Sequence, residues 1–251
     1  MTDSNDQQPK KKKKGDILLT LVLIIAIAVF CFAAYNLYHI YTEYKKGSDE
    51  YNEISQMAVT DRDPDELEKA GPEAQPQPPI NVDFDKLRSV NEDVVGWIYV
   101  EALDDISYPV VQGKDNDTYL HRTYEKNYNF AGTIFVDYEN SRDFSDCNTL
   151  VYGHNMKNGS MFAQLHKYED PDFFDANREV LIYLPDEVLH YTIFAAHIYD
   201  DRHLLYSFDF TDPEVYQKYL DSIFSIRDMS ANIDKDMTVT TDDQIITLVT
   251  C

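Results

Sequence analysis

The feature that most constrains this chain is an uncharged apolar run close to its N-terminus. Residues 17–34 are 18 consecutive positions without a charged side chain, and residues 35–38 extend the run with aromatic side chains. A helix of about 20 apolar residues is long enough to cross the hydrocarbon core of a bilayer. The sequence therefore predicts a transmembrane helix over residues 17–38.

The charges beside the run predict its orientation. Five consecutive lysines, residues 10–14, lie directly before it, and the positive-inside rule places such a block in the cytoplasm. We therefore expect residues 1–16 to be a cytoplasmic basic tail and the rest to lie outside a plasma membrane that is crossed once. A cleaved signal peptide also has a basic start and an apolar centre. The run is too long for a usual signal peptide and no small-x-small cleavage site follows it cleanly, which favours an uncleaved anchor.

The bulk composition excludes some functions. The chain carries 45 acidic and 22 basic side chains, a net charge of −23, and a nucleic-acid partner needs a basic surface instead. Only three cysteines occur, Cys31, Cys147 and Cys251, too few for a disulfide scaffold. A Cys147–Cys251 bridge would consume a candidate nucleophile, so we interpret Cys147 as a small apolar residue beside a strand.

The segment after the apolar run divides into a helix and a linker. Aromatic and apolar side chains at helical spacing in residues 39–57 predict a juxtamembrane helix that is interrupted near Gly47. Residues 58–80 contain five prolines among many acids, which is typical of a semi-extended linker. Residues 39–80 are thus expected to hold a folded domain, residues 81–251, away from the membrane.

The pattern of that domain predicts a mostly β fold with accessory helices. Short apolar, β-branched segments separated by turn residues favour a barrel or a sandwich. The predicted strands are Val94–Val100, Ile106–Val111, Thr133–Val136, Thr149–Tyr152, Val180–Leu184, Leu189–Ile198 and Ile245–Thr250, and the predicted helices are Phe84–Val90, Met161–Tyr168 and Pro213–Ile226.

Two of these strands end at residues that could perform nucleophilic chemistry. Cys251 follows the strand Ile245–Thr250, and His154 follows the strand that ends near Tyr152. A thiol becomes a useful nucleophile when its thiolate form is favoured, and an imidazole nearby can share its proton and later protonate a leaving amine. Each signal alone is weak, since a lone cysteine is usually an inert small side chain. Together they indicate a Cys–His site, in which Asn155 orients the ring or a substrate.

Several blocks in order resemble a known family. Residues 247–251 read Thr-Leu-Val-Thr-Cys, and residues 152–156 read Tyr-Gly-His-Asn-Met. Further blocks are residues 94–99, 108–116, 131–135 and 159–162, and the long helix near residues 213–226 lies between the late strands. This set resembles the class B sortases over residues 84–251.

The resemblance implies a closed β-barrel of the sortase type and a cysteine transpeptidase of Gram-positive cell envelopes. Such an enzyme cleaves the C-terminal sorting signal of a secreted protein after threonine, forms a thioester, and transfers the protein to an amine of peptidoglycan or its lipid-linked precursor. The resemblance implies Cys251 as the nucleophile and His154 as the general acid and then the general base. Asn155 and Thr250 are candidate substrate-binding residues, and no cofactor or metal is expected.

The resemblance also implies an arginine on the strand after the cysteine, where its guanidinium would support the substrate and the oxyanion. Neither Arg202 nor Arg227 lies at the matching position. We expect the last barrel strand to be missing from residues 81–251 and the chain as given to have little or no transpeptidase activity, because one such donor contributes roughly 10²–10³ in rate.

Other interpretations stay open. A cysteine peptidase or amidase that hydrolyses wall peptides would also use Cys and His, and a membrane-tethered barrel could bind sorting peptides without turnover. The remaining histidines are expected to have no catalytic role: His39 lies near the membrane, His197 is interpreted as a satisfied core residue, and His121, His166, His190 and His203 lack a paired motif. Asp115, Asp117, Asp137 and Glu139 lack a regular calcium loop, so we interpret them as a solvated acidic face.

Overall fold

The computed structural model describes residues 14–62, 78–103 and 106–250. The chain divides into two compact units, residues 1–45 and residues 46–251. The lysine block up to residue 13, the middle of the predicted linker at residues 63–77 and Cys251 lie outside the described residues.

The apolar run forms the first part of a long helix, α1 (Lys14–Ala58). Its large apolar side chains are exposed, for example Leu19 at 69% and Phe30 at 73%. The mean hydropathy reaches 3.1 in an 18-residue window of which no residue is buried. Within the described ranges, this is the one helix whose length and composition suit a membrane span.

The predicted interruption of α1 near Gly47 is wrong, because the helix continues through that residue to Ala58. Gly47 is buried, and a Cβ there would lie 3.3 Å from the Nδ2 atom of Asn129. The glycine therefore permits close packing of the helix against another part of the domain.

The ends of the predicted linker are more ordered than expected. β1 (Val59–Asp61) follows α1 directly and pairs antiparallel with β2 (Ile80–Val82), with Thr60 opposite Asn81. This short ribbon fastens the end of α1 to the start of the domain, so only residues 63–77, outside the described ranges, retain the linker interpretation.

The main sheet has seven strands and curls into a nearly closed β-barrel, which confirms the predicted fold class. The strands are β3 (Val94–Tyr99), β4 (Ser107–Val111), β5 (Ile134–Val136), β6 (Asn148–Gly153), β7 (Glu179–Tyr183), β8 (Val188–Thr192) and β11 (Ile245–Thr250). Their spatial order begins at β11 and continues through β6, β5, β4, β3 and β7 to β8. Nearly all side chains of β3 to β6 are buried, as expected for strands covered on both faces.

One predicted strand is divided in two. Residues 189–198 contain the end of β8 and the separate β9 (Ala195–Ala196), which pairs with β10 (Asn232–Ile233) outside the main sheet. Apolar character continues across both pieces, and for this reason the sequence pattern alone did not separate them.

Short helices connect the strands. The predicted helix α2 (Phe84–Val90) is confirmed, with the Asp83 carboxylate accepting the backbone N–H of Lys86 as an N-cap. The predicted helix over residues 161–168 is instead a 3₁₀ helix, Ala163–Glu169. It does not include Met161, whose φ of 57° lies outside the right-handed helical region. Two further helices, α3 (Pro171–Ala176) and α4 (Leu204–Ser207), were not predicted from the sequence. The predicted helix over residues 213–226 is α5 (Pro213–Phe224), which ends two residues early.

Helix α5 covers the outer side of β6 and β11. Its buried residues Tyr216, Tyr219, Leu220 and Ile223 form one apolar cluster with Leu150 of β6 and Ile245 of β11. Cys147, a free cysteine directly before β6, is partly buried at the edge of this cluster, which confirms its interpretation as a small apolar residue beside a strand. The cluster fixes the two strands whose ends form the candidate site.

Candidate functional site

The candidate site lies where two adjacent strands end. β11 pairs with β6 in parallel register over six residues, and the last pair is Thr250 with Gly153. Carboxyl ends of parallel neighbours meet at the same edge of a sheet, so His154 follows β6 at the edge where β11 ends. Cys251, the next residue after Thr250, lies outside the described residues.

Gly153 is required by the packing at the end of β6. A Cβ at this position would lie 2.5 Å from Cδ1 of Ile134 and 2.6 Å from two ring atoms of Phe162, and both neighbours are fully buried. Gly153 therefore faces the barrel interior. Thr250, its register partner, has a buried hydroxyl oxygen that finds no hydrogen-bond partner among the described residues.

The ring of His154 is held by a backbone carbonyl. Its Nε2 atom lies 2.7 Å from the carbonyl oxygen of Leu120, and its ring stacks on that of His121 at 5.7 Å and 8°. A carbonyl oxygen only accepts hydrogen bonds, so Nε2 must carry a hydrogen. In the neutral ring Nδ1 is then unprotonated, and it is the nitrogen that can take up and release a proton.

Asn155 is placed beside a different histidine. Its Nδ2 atom donates to Nε2 of His166 at 2.9 Å, while Nδ1 of His166 lies 2.8 Å from the Glu169 carboxylate. Backbone bridging between Asn155 and Met161 keeps this arrangement next to the 3₁₀ helix. In the structure the Asn155 side chain thus contacts His166. The predicted role of Asn155 in substrate binding stays a prediction.

A buried carboxylate supports the same end of β6. Asp137, 0% exposed, accepts at Oδ2 from Nε2 of His203 at 2.8 Å, from Nδ2 of Asn116 at 2.9 Å and from the Tyr152 hydroxyl at 3.1 Å. Its Oδ1 accepts the backbone N–H of Glu139 at 3.0 Å. Tyr152 is two residues before His154, so this network fixes the strand that presents the imidazole.

The interpretation of Asp137 as part of a solvated acidic face is therefore wrong. Asp115 serves the local chain instead, because its carboxylate accepts the backbone N–H and the hydroxyl of Thr118 at 2.7 and 2.5 Å. These are structural uses of carboxylates that a single sequence does not distinguish from surface charge.

The four histidines without a paired motif in the sequence all contact neighbouring side chains in the structure. His121 stacks on His154, His166 contacts Asn155 and Glu169, His190 lies 3.2 Å from the Glu179 carboxylate, and His203 bonds Asp137. Only the His166–Glu169 pair, three residues apart, carried a local signal in the sequence. His197 is half-buried after β9, and burial lowers its pKa, which suits a neutral packing residue.

The two arginines that were considered for substrate support have other partners. Arg202 binds the Asp200 carboxylate at 2.8 Å, and Arg227 donates to the carbonyl oxygens of Phe224 and Ile226 at 2.9 and 2.7 Å. Both therefore serve local structure.

Comparison with known proteins gives consistent results. The protein-family model described as Sortase domain matches residues 98–251. Sortase B of Listeria monocytogenes is 38% identical over 167 residues, 66% of this chain, and the chain spans 65% of that relative's length. Sortase B of Staphylococcus aureus is 28% identical over 233 residues, 93% of this chain and 89% of that protein.

Solved structures agree with these matches. The crystal structure of sortase B from B. anthracis in complex with AAEK1 superposes with a TM-score of 0.64 and 29% identity, covering 84% of this chain and 92% of that one. The Staphylococcus aureus sortase B–substrate complex superposes with a TM-score of 0.63 at 27% identity, covering 84% of this chain and 90% of that one.

Proposed function

Because this chain belongs to the sortase family, and to its class B, we propose that it is a membrane-anchored cysteine transpeptidase. Its proposed reaction is cleavage of a C-terminal sorting signal after threonine and transfer of the new carboxyl end to a peptidoglycan amine. The observation that carries the proposal is the register of β11 on β6, which pairs Thr250 with the residue directly before His154.

The proposed nucleophile is Cys251, one peptide bond beyond Thr250. Its support in the structure is the residue bonded to it, since Thr250 pairs with Gly153, directly before His154. A rigid strand is a suitable support for a nucleophile, because the geometry of the reacting atoms then varies little.

The chemistry follows from these two residues. The thiol proton of Cys251 passes to Nδ1 of His154, and the sulfur forms a bond to the carbonyl carbon of the threonine. The bond from that carbon to the following nitrogen breaks, and Nδ1 gives the proton to the leaving amine. An incoming amine then attacks the thioester, His154 takes a proton from it, and the thiolate leaves. Since the Leu120 carbonyl holds the Nε2 hydrogen, the mobile proton belongs to Nδ1 in both steps.

The proposed partners and location extend the same assignment. Sorting-signal proteins would supply the acyl group, and peptidoglycan or its lipid-linked precursor would supply the amine. We place residues 17–38 across the plasma membrane, residues 1–16 in the cytoplasm and the barrel outside, with residues 39–80 as the connecting segment. The exposed apolar side chains of α1 and the lysine block before it support this arrangement.

The decisive experiment offers the protein, at its full natural length, a sorting-signal peptide together with a short glycine peptide as the amine. Peptides of the Asn-Pro type and of the Pro-x-Thr-Gly type are both tested, and products are identified by mass spectrometry. We expect a ligated product, and in Cys251→Ala none. Cleavage without ligation would instead support a cysteine peptidase, and peptide binding without turnover would support a non-catalytic barrel.

The role of His154 is tested with a matched histidine. His154→Gln should lower turnover by about 10²–10⁴-fold, the usual contribution of a general acid or base. His190→Gln removes a histidine of β8 that contacts a carboxylate of β7, and it should leave turnover close to wild type. Equal activity of the two variants would contradict the assignment of His154.

A further inference from the structure

One face of α1 contacts the loop that holds the candidate imidazole. Within residues 46–58, Gly47 packs against the side chain of Asn129 and the Glu50 carboxylate accepts the backbone N–H of Glu125 at 3.0 Å. Glu50 and Tyr51 lie three and four residues after Gly47 and four and three before Ile54, so these positions lie along one side of the helix. Their partners Glu125 and Asn129 belong to the connection between β4 and β5, which we call the 119–133 loop.

Tyr51 makes the most buried of these contacts. Its side chain is 7% exposed, its hydroxyl donates to the carbonyl oxygen of Gly132 at 2.5 Å, and the Oη atom lies 3.2 Å from Oγ1 of Thr133. Its ring packs edge-on against Tyr108 at 5.4 Å. Burial raises the pKa of Tyr51 far above its ordinary value, so the hydroxyl stays a hydrogen-bond donor throughout the neutral range.

Gly132 in turn lies directly against the carbonyl that holds His154. It has φ +60°, and a Cβ there would lie 2.5 Å from the Leu120 oxygen and 2.8 Å from the Tyr119 oxygen. The loop is closed at this point by the backbone N–H of Thr133, which donates to the Tyr119 oxygen at 3.1 Å. The position of the Leu120 carbonyl is therefore set by where Gly132 sits.

These contacts form a continuous connection. The Tyr51 hydroxyl holds the Gly132 carbonyl, Gly132 lies against the Leu120 oxygen, and that oxygen accepts Nε2–H of His154 at 2.7 Å. We propose that Tyr51 is a positioning residue that fixes the Nε2–H tautomer of His154 through Gly132 and Leu120. Residues 46–58 of α1 then help to set the proton-transfer geometry of the site, in addition to linking the domain to the rest of the chain.

The catalytic consequence rests on the proposed transpeptidase function, but the effect on the imidazole does not. If Leu120 shifts, the Nε2–H loses its fixed acceptor, and the ring is free to adopt the other tautomer or another orientation. A displacement of about 1 Å from productive geometry can cost up to about 10²-fold in rate. Substrate binding does not need Nε2–H, so the loss should appear in kcat rather than in KM.

The test is the variant Tyr51→Phe in the full chain, since it removes one oxygen and keeps the ring packed on Tyr108. The matched control is Tyr183→Phe. The Tyr183 hydroxyl accepts the backbone N–H of Ile80 at 3.4 Å, so it also fastens the N-terminal segment to the barrel, but at β2 instead of the 119–133 loop. Gly132→Ala, which pushes directly on the Leu120 oxygen, is the stronger second variant.

The primary measurement is the tautomer of His154, from two-bond ¹H–¹⁵N correlation spectra of ¹⁵N-histidine-labelled protein at neutral pH. The wild type and Tyr183→Phe should show protonated Nε2 and unprotonated Nδ1, and Tyr51→Phe and Gly132→Ala should show mixed or exchanging nitrogens. In turnover assays Tyr51→Phe should lose about 10-fold in kcat, with KM within twofold of wild type.

The outcomes separate the two proposals. An unchanged His154 tautomer in both Tyr51→Phe and Gly132→Ala overturns the positioning role, whatever the enzyme's activity. The positioning role is also overturned if Tyr51→Phe and Tyr183→Phe change the tautomer equally. The change would then reflect a general loss of order in the domain and not the contact between Tyr51 and Gly132. A selective tautomer change in a protein that performs no ligation supports the positioning role and counts against the transpeptidase function alone.

Discussion

Replacement of Asp137 by asparagine is the sharpest stability test of the hydrogen-bond network that Asp137 forms at the end of β6. The carboxylate is fully buried and accepts four hydrogen bonds, three of them at one oxygen, from His203, Asn116 and Tyr152. An asparagine can keep its oxygen toward these three donors, but its NH₂ group then faces the backbone N–H of Glu139 and that bond is lost. The remaining three bonds also lose their ionised acceptor.

The expected cost follows from these losses. A hydrogen bond to a charged group contributes about 1.5–3 kcal/mol, and a buried polar group left without its partner costs about 1–3 kcal/mol. We expect Asp137→Asn, which causes both losses, to lower the free energy of unfolding by about 3–5 kcal/mol at neutral pH. For a domain of this size each kcal/mol shifts the melting temperature by about 2–4 °C, so the midpoint should fall by roughly 6–20 °C.

The assay is thermal unfolding followed by near-ultraviolet circular dichroism, with Asp209→Asn as the control. Asp209 is exposed, and its carboxylate accepts bonds from the backbone N–H and the hydroxyl of the nearby Thr211. Its replacement should leave the midpoint close to that of wild type, because solvent can replace those bonds. If Asp137→Asn shifts the midpoint no further than the control does, the network does not stabilise β6 and the reasoning is refuted.

Three further predictions follow from packing and from pKa shifts. Gly153→Ala should destabilise the fold by about 1–3 kcal/mol, measured by urea unfolding, because its methyl group would overlap Ile134. Burial raises the pKa of Tyr183 to about 12, so the protonated hydroxyl contributes fully to stability below about pH 10 and this contribution is lost as the pH rises toward 12. In Tyr183→Phe the free energy of unfolding should therefore fall less steeply with pH over this range. Burial alone would raise the pKa of Asp93, but the hydrogen bonds and cations around its carboxylate leave that pKa below its ordinary value. The ionised carboxylate therefore stabilises the fold above about pH 4, and this stabilisation is lost in more acidic solution. Asp93→Asn should reduce the dependence of the free energy of unfolding on acid pH.

Much of the fold could be predicted from local pattern. The strand Ile245–Thr250 and the helix Phe84–Val90 have the predicted bounds, because alternation, apolar runs and caps are properties of neighbouring residues. The errors occurred where distant contacts decide the outcome. Gly47 lies within a continuous helix since its small size permits contact with Asn129, and a glycine alone does not show whether it breaks a helix or allows close packing.

For the candidate site as well, the sequence predicted what local pattern determines and missed what distant contacts decide. The motif residues His154 and Cys251 could be selected from the sequence because cysteine and histidine carry recognisable chemistry at strand ends. The Leu120 carbonyl could not, since every residue has a backbone oxygen and only the fold shows which one faces an imidazole. His203 was missed as well, because its carboxylate partner Asp137 is 66 residues away.

By itself, the sequence determined an apolar helix, a mostly β domain and the residue types of a Cys–His site. These depend on periodicity and side-chain chemistry, which are local. The tertiary structure alone decided that β11 lies parallel to β6 in a register ending at Gly153, and that Tyr51 reaches Gly132 across 81 residues of chain. Such contacts depend on how the whole barrel closes its backbone hydrogen bonds and fills its interior, and no short segment contains that information.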